Sequence, residues 1–258
     1  MIFNNMKKLL FILLFFPSIL FAQAAKDTSS EKMYLTWARD AWKNKDYKTC
    51  IEDYSEIIKI DPKNVLAYDS RASAKWALKY DDEAIKDLDT AISLNDKYTW
   101  IYYNKIGLIK MDEKDLNGAI AAYSGAIAIH SVGPFYNNRG IAEIAIKNYD
   151  AAINDFTIAI NRSRNPQYKD DLSSSLFQAS AYYSRGKAKL FRGDTKEAIA
   201  DLDTTITTNP KLALAYNIRG EAKNKLGDKA GACADWQTAS DMDCEPAREN
   251  LKKYCGAN

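Results

Sequence analysis

Small and aromatic residues recur along this chain at a near-constant interval, and few folds tolerate such a pattern. Take a 34-residue unit with Ala213 at position 1. Position 4 then reads Tyr34, Tyr68, Tyr103, Tyr136, Tyr182 and Tyr216, and position 8 reads Ala38, Ala72, Gly107, Gly140, Gly186 and Gly220. Position 20 reads Cys50, Ala84, Ala119, Ala152, Ala198 and Ala232, while position 24 is bulky: Tyr54, Leu88, Tyr123, Phe156, Leu202 and Trp236. A small residue at 8 facing a small residue at 20 allows two antiparallel helices to approach closely, with the residue at 24 filling the space between neighbouring layers. Each unit therefore reads as a helical hairpin. Successive position 8 residues are 34, 35, 33, 46 and 34 apart, so six hairpins follow one another with one insertion of about a dozen residues.

This pattern, with Pro62 and Pro210 closing their units, resembles the tetratricopeptide repeat family over residues 31–245. The resemblance implies an all-α fold: a right-handed α-solenoid of six helix-turn-helix repeats followed by a C-terminal capping helix. Repeats fall near 31–64, 65–98, 100–132, 133–166, 179–212 and 213–245, with an insertion at 167–178 and the cap at 246–255. Two departures stand out. Position 7, usually leucine in the family, is Arg71, Arg139, Arg185 and Arg219, and repeat three has Ser131 where a closing proline is expected.

Residues 1–24 contain Lys7 and Lys8, an apolar run broken by Pro17, and a closing Ala22-Gln23-Ala24, the arrangement of a cleaved secretory signal peptide. The alternative is a retained membrane anchor, for which the uninterrupted apolar run is short. The leader also resembles those of exported Bacteroidetes proteins, and no cysteine follows it to accept a lipid. A periplasmic or secreted product with no membrane span after cleavage is expected. The chain has 36 Lys and Arg against 34 Asp and Glu, and the leader holds two of the lysines and no acid. A formally neutral mature chain without a basic run is unsuited to nucleic acid.

Turn residues near position 15, such as Asn44, Asn148, Gly193 and Gly227, mark where one helix stops and the next is capped. Thr28 and Glu31 form a capping box at the start of the first helix. In the insertion, Leu172, Leu176, Ala179 and Tyr183 lie at helical spacing, which extends the first helix of repeat five by two or three turns; a serine-rich surface loop is the other reading.

No catalytic constellation emerges. His130 is the only histidine, at the end of a second helix, and no phosphate loop, zinc spacing or calcium loop is present. An enzyme, a metal and a cofactor are not expected. Of the four cysteines, Cys50 takes a buried small-residue position. Cys233 opens the last second helix and Cys255 ends the antiparallel capping helix, which brings them together as a disulfide in an exported protein; unpaired thiols are the alternative. Position 7 also covaries with position 23. Arg71, Arg139, Arg185 and Arg219 accompany Asp87, Asp155, Asp201 and Asp235, whereas repeat three has Ile106 with Ala122 and repeat one has Trp37 with Asp53. An intra-repeat ion pair follows; the rival geometry pairs each arginine with the preceding repeat's aspartate.

If the hairpins stack as in the family, their first helices line a concave groove. The resemblance places Leu35, Arg39, Trp42, Asp69, Trp76, Asn104, Met111, Asn137, Asn138, Tyr183, Lys187, Asn217 and Glu221 there. Amides that can bond an extended backbone, beside apolar bulk, imply a protein or peptide partner. Trp42 and Trp76 have a second reading as packing between repeats. The function expected is a peptide-binding scaffold of the envelope or secreted space; the rival is a structural or sensory subunit acting through its ends or convex face.

Overall fold

The computed structural model describes residues 29–94, 97–164 and 175–256. The expected leader, Thr28 of the capping box and most of the 167–178 insertion lie outside these residues. Among the described residues there are thirteen helices and no strand. The chain divides into two compact units, Met1–Pro62 and Lys63–Asn258. In the first unit, α1 (Ser29–Lys43) and α2 (Tyr47–Ile60) form one antiparallel hairpin.

The second unit is a helical-repeat solenoid of five hairpins and a cap. They are α3 (Val65–Ala77) with α4 (Asp81–Ser93), α5 (Thr99–Glu113) with α6 (Leu116–Ile129), and α7 (Gly133–Ala145) with α8 (Tyr149–Arg164). Then come α9 (Ser175–Arg192) with α10 (Thr195–Thr208), α11 (Ala213–Lys225) with α12 (Lys229–Asp241), and the cap α13 (Glu245–Tyr254). Within this unit each helix packs on its sequence neighbours, and the first helices α7, α9 and α11 also meet in turn.

Position 15 sets the hairpins. All six residues there have positive φ: Lys45, Lys79, Lys114, Lys147, Gly193 and Gly227. The following residue donates its N–H back across the turn, as in Asp46 to Ala41, Tyr80 to Lys75, Asp115 to Lys110 and Asp228 to Lys223. This is a left-handed helix stop that satisfies carbonyls at the helix end. Asp46, Asp115 and Asp228 then accept from Thr49, Gly118 and Gly231 as N-caps of the second helices. A lysine takes the left-handed conformation at four sites with no β-branch to oppose it.

The reason for glycine at position 8 differs from the expected pairing with position 20 alone. A Cβ on Gly140 would come within 2.8 Å of the Phe156 ring, and one on Gly220 within 2.7 Å of the Trp236 indole, so the clash is with position 24 of the same repeat. Phe156 and Trp236 are fully buried and have nowhere to go. At Gly186 the same probe meets Leu202 only at 3.1 Å, because a branched aliphatic chain leaves more room than a ring. Gly220→Ala is therefore expected to lower stability by about 1 to 3 kcal/mol, and Gly186→Ala by clearly less. Urea unfolding of the two variants decides this; equal losses would remove ring packing as the reason for the glycine.

Repeat five begins one turn early, at Ser175, ahead of its position 1 at Ala179. The apolar stripe is corrected there. Leu176 is exposed and Phe177 is buried, packing with Ala159, Ile160, Ala181 and Tyr182. The face that meets α8 runs through Phe177 and Ala181, one residue out of phase with Leu176. Leu172 lies outside the described residues.

Candidate functional site

The arginine at position 7 reaches across its own hairpin. In Arg71, Arg139, Arg185 and Arg219, Nε donates to one aspartate oxygen and Nη2 to the other, at 2.6 to 2.9 Å, on Asp87, Asp155, Asp201 and Asp235 respectively. The planar fork suits this two-point contact, which a lysine could not make. The remaining Nη1 donates to position 25 of the preceding repeat, as Arg139 to Ser124 (3.0 Å), Arg185 to Thr157 (3.1 Å) and Arg219 to Asp203 (2.6 Å). Each of these guanidiniums thus ties its own second helix to the preceding one. It also lies beside the position 4 tyrosine, with centroid distances of 5.3 to 5.6 Å for Tyr68, Tyr136, Tyr182 and Tyr216.

Sequence reasoning missed a third member. Position 11 is Lys75, Lys189 and Lys223 in repeats two, five and six, and each ammonium sits 2.7 to 2.8 Å from the aspartate already held by arginine. The column of lysines at position 11 was the available signal. Repeat three has no aspartate at 23, and its Lys110 turns to Glu113 at 2.9 Å and Asp115 at 3.5 Å. In repeat four the place is taken by Glu143, buried, with Oε2 lacking a hydrogen-bond partner. The hydrogen bonds to Asp155 raise the Arg139 guanidinium above its ordinary value.

The expected groove positions link neighbouring first helices rather than standing apart. Lys105 of α5 contacts Asp69 and donates to Ser73 (3.1 Å) on α3. Asn138 of α7 donates to Asn104 of α5 at 3.0 Å. Asn250 of the cap donates to Asn217 at 3.1 Å, and Asn217 to Glu221 at 3.0 Å. Asn137 and Asn217 are buried, and Asn137 Oδ1 has no partner, so these two are set below the surface rather than presented on it. Trp76 packs against the cluster formed by Ala72, Leu88, Tyr102, Ile106 and Ile109, between repeats two and three. Met111 is half-buried. Leu35, Arg39 and Trp42 belong to the first unit, where Trp42 meets the Tyr47 ring edge-on at 5.2 Å.

Tyr183, Lys187 and Glu221 form the charged end of this row. Burial pulls Lys187 below the usual lysine range, opposed by the Glu221 charge, while burial pushes Glu221 up against its bonds to Asn217 and Asn250. Tyr183 is also raised by burial. Among the described residues no carboxylate lies within ion-pair distance of the Lys187 ammonium, and no group of three or more His, Cys, Asp or Glu is placed to hold a metal.

The cap is fastened by a Cys233–Cys255 disulfide, with a sequence separation of 22. Tyr254 stacks on Trp236 at 5.5 Å, and Trp236 Nε1 donates to the Asn217 carbonyl. Cys50 and Cys244 are free and buried. No helix among the described residues is long and apolar enough to cross a membrane.

Comparison with known proteins agrees with this architecture. A tetratricopeptide repeat family model matches residues 65–98. The small glutamine-rich tetratricopeptide repeat-containing protein 2 of Saccharomyces cerevisiae is 37% identical over 89 residues, which is 34% of this chain and 25% of the yeast protein. Serine/threonine-protein phosphatase 5 of Homo sapiens is 36% identical over 70 residues, 27% of this chain and 14% of the phosphatase. The chain thus spans a quarter or less of these curated relatives. Among solved structures, the type IV pilus biogenesis factor PilW has a TM-score of 0.66 at 18% identity, covering 87% of this chain and 100% of that one. The C-terminal part of a repeat protein from Cytophaga hutchinsonii gives 0.63 at 19% identity, covering 85% and 82%. YrrB, a repeat protein with an unusual peptide-binding site, gives 0.59 at 15% identity, covering 77% and 97%. A tetratricopeptide repeat therefore occupies residues 65–98, and the protein has the solenoid fold of tetratricopeptide repeat proteins.

Proposed function

We propose that this chain is a non-enzymatic scaffold of the cell envelope or secreted space that holds an extended or helical segment of a protein partner on its first-helix face. The observation that carries this reading is the polar row of the second unit. Asp69, Lys105, Asn104 and Asn138 are half-buried and already ordered by one another, and Lys187 has no carboxylate in ion-pair contact. Ordered polar side chains lose little freedom on binding, and amides retain capacity to bond a peptide backbone. The peptide-binding site of YrrB, a protein of like fold, is consistent with such a use.

A display library of unstructured and helical peptides, selected on the purified protein and followed by calorimetry, tests the reading. Lys187→Ala and the double variant Asn104→Ala with Asn138→Ala are expected to weaken a selected peptide by about 1 to 3 kcal/mol each without lowering the melting temperature. Unchanged affinity in both would sink the first-helix face as the binding surface. Trp76→Ala behaves differently. Its ring packs in the core between repeats, so it is expected to cost about 3 kcal/mol of stability whatever it does to binding. Amino-terminal sequencing of protein recovered from the envelope tests export, with cleavage expected after Ala24.

A further inference from the structure

Every first helix of repeats three to six buries its positions 3 and 7 side against the second helix of the repeat before it. Tyr102 and Ile106 pack with Leu88 and Ala91, Phe135 with Ala126, Ala181 with Ala159 and Ile160, and Ala215 with Ala198 and Leu202. In repeat one the same positions are Met33 and Trp37, 40% and 49% exposed. The outer side of α1 therefore presents exposed apolar side chains.

The electrostatics of repeat one are equally incomplete. Asp53 occupies position 23, the place of Asp87, Asp155, Asp201 and Asp235, and is 7% exposed. Those four aspartates each hold an arginine from position 7, and three of them also hold a lysine from position 11. Repeat one supplies Trp37 and Ala41 instead, and Asp53 Oδ2 is buried with no hydrogen-bond partner. Burial, with Glu52 and Asp46 nearby, pushes the Asp53 carboxyl up. A buried carboxylate without a partner costs stability, and a charge-assisted bond would relieve that cost.

We propose that the outer side of α1 is a docking surface for an apolar helix of a partner protein that presents an arginine, with Trp37 as the aromatic anchor and Asp53 as the seat for the guanidinium. The four complete repeats show the chemistry the seat accepts: a fork that places Nε and Nη2 on the two carboxylate oxygens. They also show that a helix belongs there, since in repeats three to six the corresponding side is covered by one. The missing arginine has to come with that helix because α1 does not carry it. This site is separate from the first-helix face proposed above, and either can fail without the other.

The test uses the whole mature chain and two synthetic amphipathic peptides of about thirteen residues, identical except for one arginine or glutamine on the polar face. Calorimetry is expected to show the arginine peptide binding at least tenfold tighter to the wild type, and the difference is expected to vanish in Asp53→Asn and to shrink for both peptides in Trp37→Ala. Asp53→Asn is expected to raise the melting temperature, since it removes an unpaired buried charge. In cis, Trp37→Arg is expected to raise it too, and to lose that gain when combined with Asp53→Asn. No discrimination between the peptides on the wild type, or the same discrimination in Asp53→Asn, overturns the proposal. So does a concentration-dependent dimer of the wild type that Asp53→Asn dissolves, which would make a second copy the occupant.

Discussion

Methionine in place of Arg139 is expected to destabilise the protein by about 3 to 5 kcal/mol, the scale found when one partner of a buried ion pair is removed. Asp155 is 2% exposed, and among the described residues Arg139 is the one cation in ion-pair contact with it. Glu143 stands nearby at position 11 where the other repeats keep a lysine, so the change leaves two buried carboxylates. Arg185→Met makes the useful contrast. Lys189 stays on Asp201 at 2.8 Å, and the expected loss is nearer about 1.5 kcal/mol, the scale of a charged hydrogen bond. The double variant Arg139→Met with Asp155→Leu is expected to lose less than Arg139→Met alone, because an apolar pair needs no compensation. Equilibrium unfolding in urea reads all three. A double variant as damaging as the single would show that the arginine acts through its bond to Ser124 and its tyrosine neighbour rather than through the stranded aspartate.

Loss of the Cys233–Cys255 bond is expected to cost about 3 kcal/mol, since a cross-link over 22 residues restricts the unfolded chain by roughly that amount. The effect is local as well as global. Ala247, Leu251 and Tyr254, with the Asn250–Asn217 hydrogen bond, then hold the cap over Trp236, and a ten-residue helix is marginal without more support. Hydrogen exchange in Cys255→Ser is expected to show residues 245–254 losing protection well before α11 and α12. Simultaneous loss throughout all three helices would mean that the bond stabilises the hairpin rather than the cap. Mapping under non-reducing conditions should recover the linked pair, with Cys50 and Cys244 as free thiols.

The helical hairpins were legible because their cause is local and periodic. A tyrosine at position 4, a small residue at 8 and a bulky one at 24 recur regardless of what surrounds them, and each repeat solves the same packing problem. The arginine and aspartate columns were legible for a similar reason: they change together, and repeat three lacks both. The lysine column at position 11 was equally regular but was passed over, since a lysine at that helical position reads as a solvated face until its neighbour is known. Gly193 and Gly227 announced the hairpin turns, whereas Lys45, Lys79, Lys114 and Lys147 adopt the same left-handed conformation without a residue type that marks it.

Side-chain depth along the first-helix face was not legible. Asn104 and Asn137 share one register position, yet the first is half-buried and bonded to Asn138 while the second is buried with an unpartnered oxygen. Trp76 shows the same limit, since its spacing suits a groove and its packing ties it to the core between repeats. Sequence by itself determined the hairpin unit and its repetition, and it pointed, each against one rival, to the pairing of position 7 with position 23 and to the cysteines that face each other. These follow from helical period and from chemistry repeated in register. Only the tertiary structure decided where each guanidinium sends its third donor, that Phe177 rather than Leu176 turns inward, and that Asp53 is left without a partner. Those outcomes depend on the distance and angle between neighbouring helices, which arise from all the packing contacts together and are carried by no single stretch of chain.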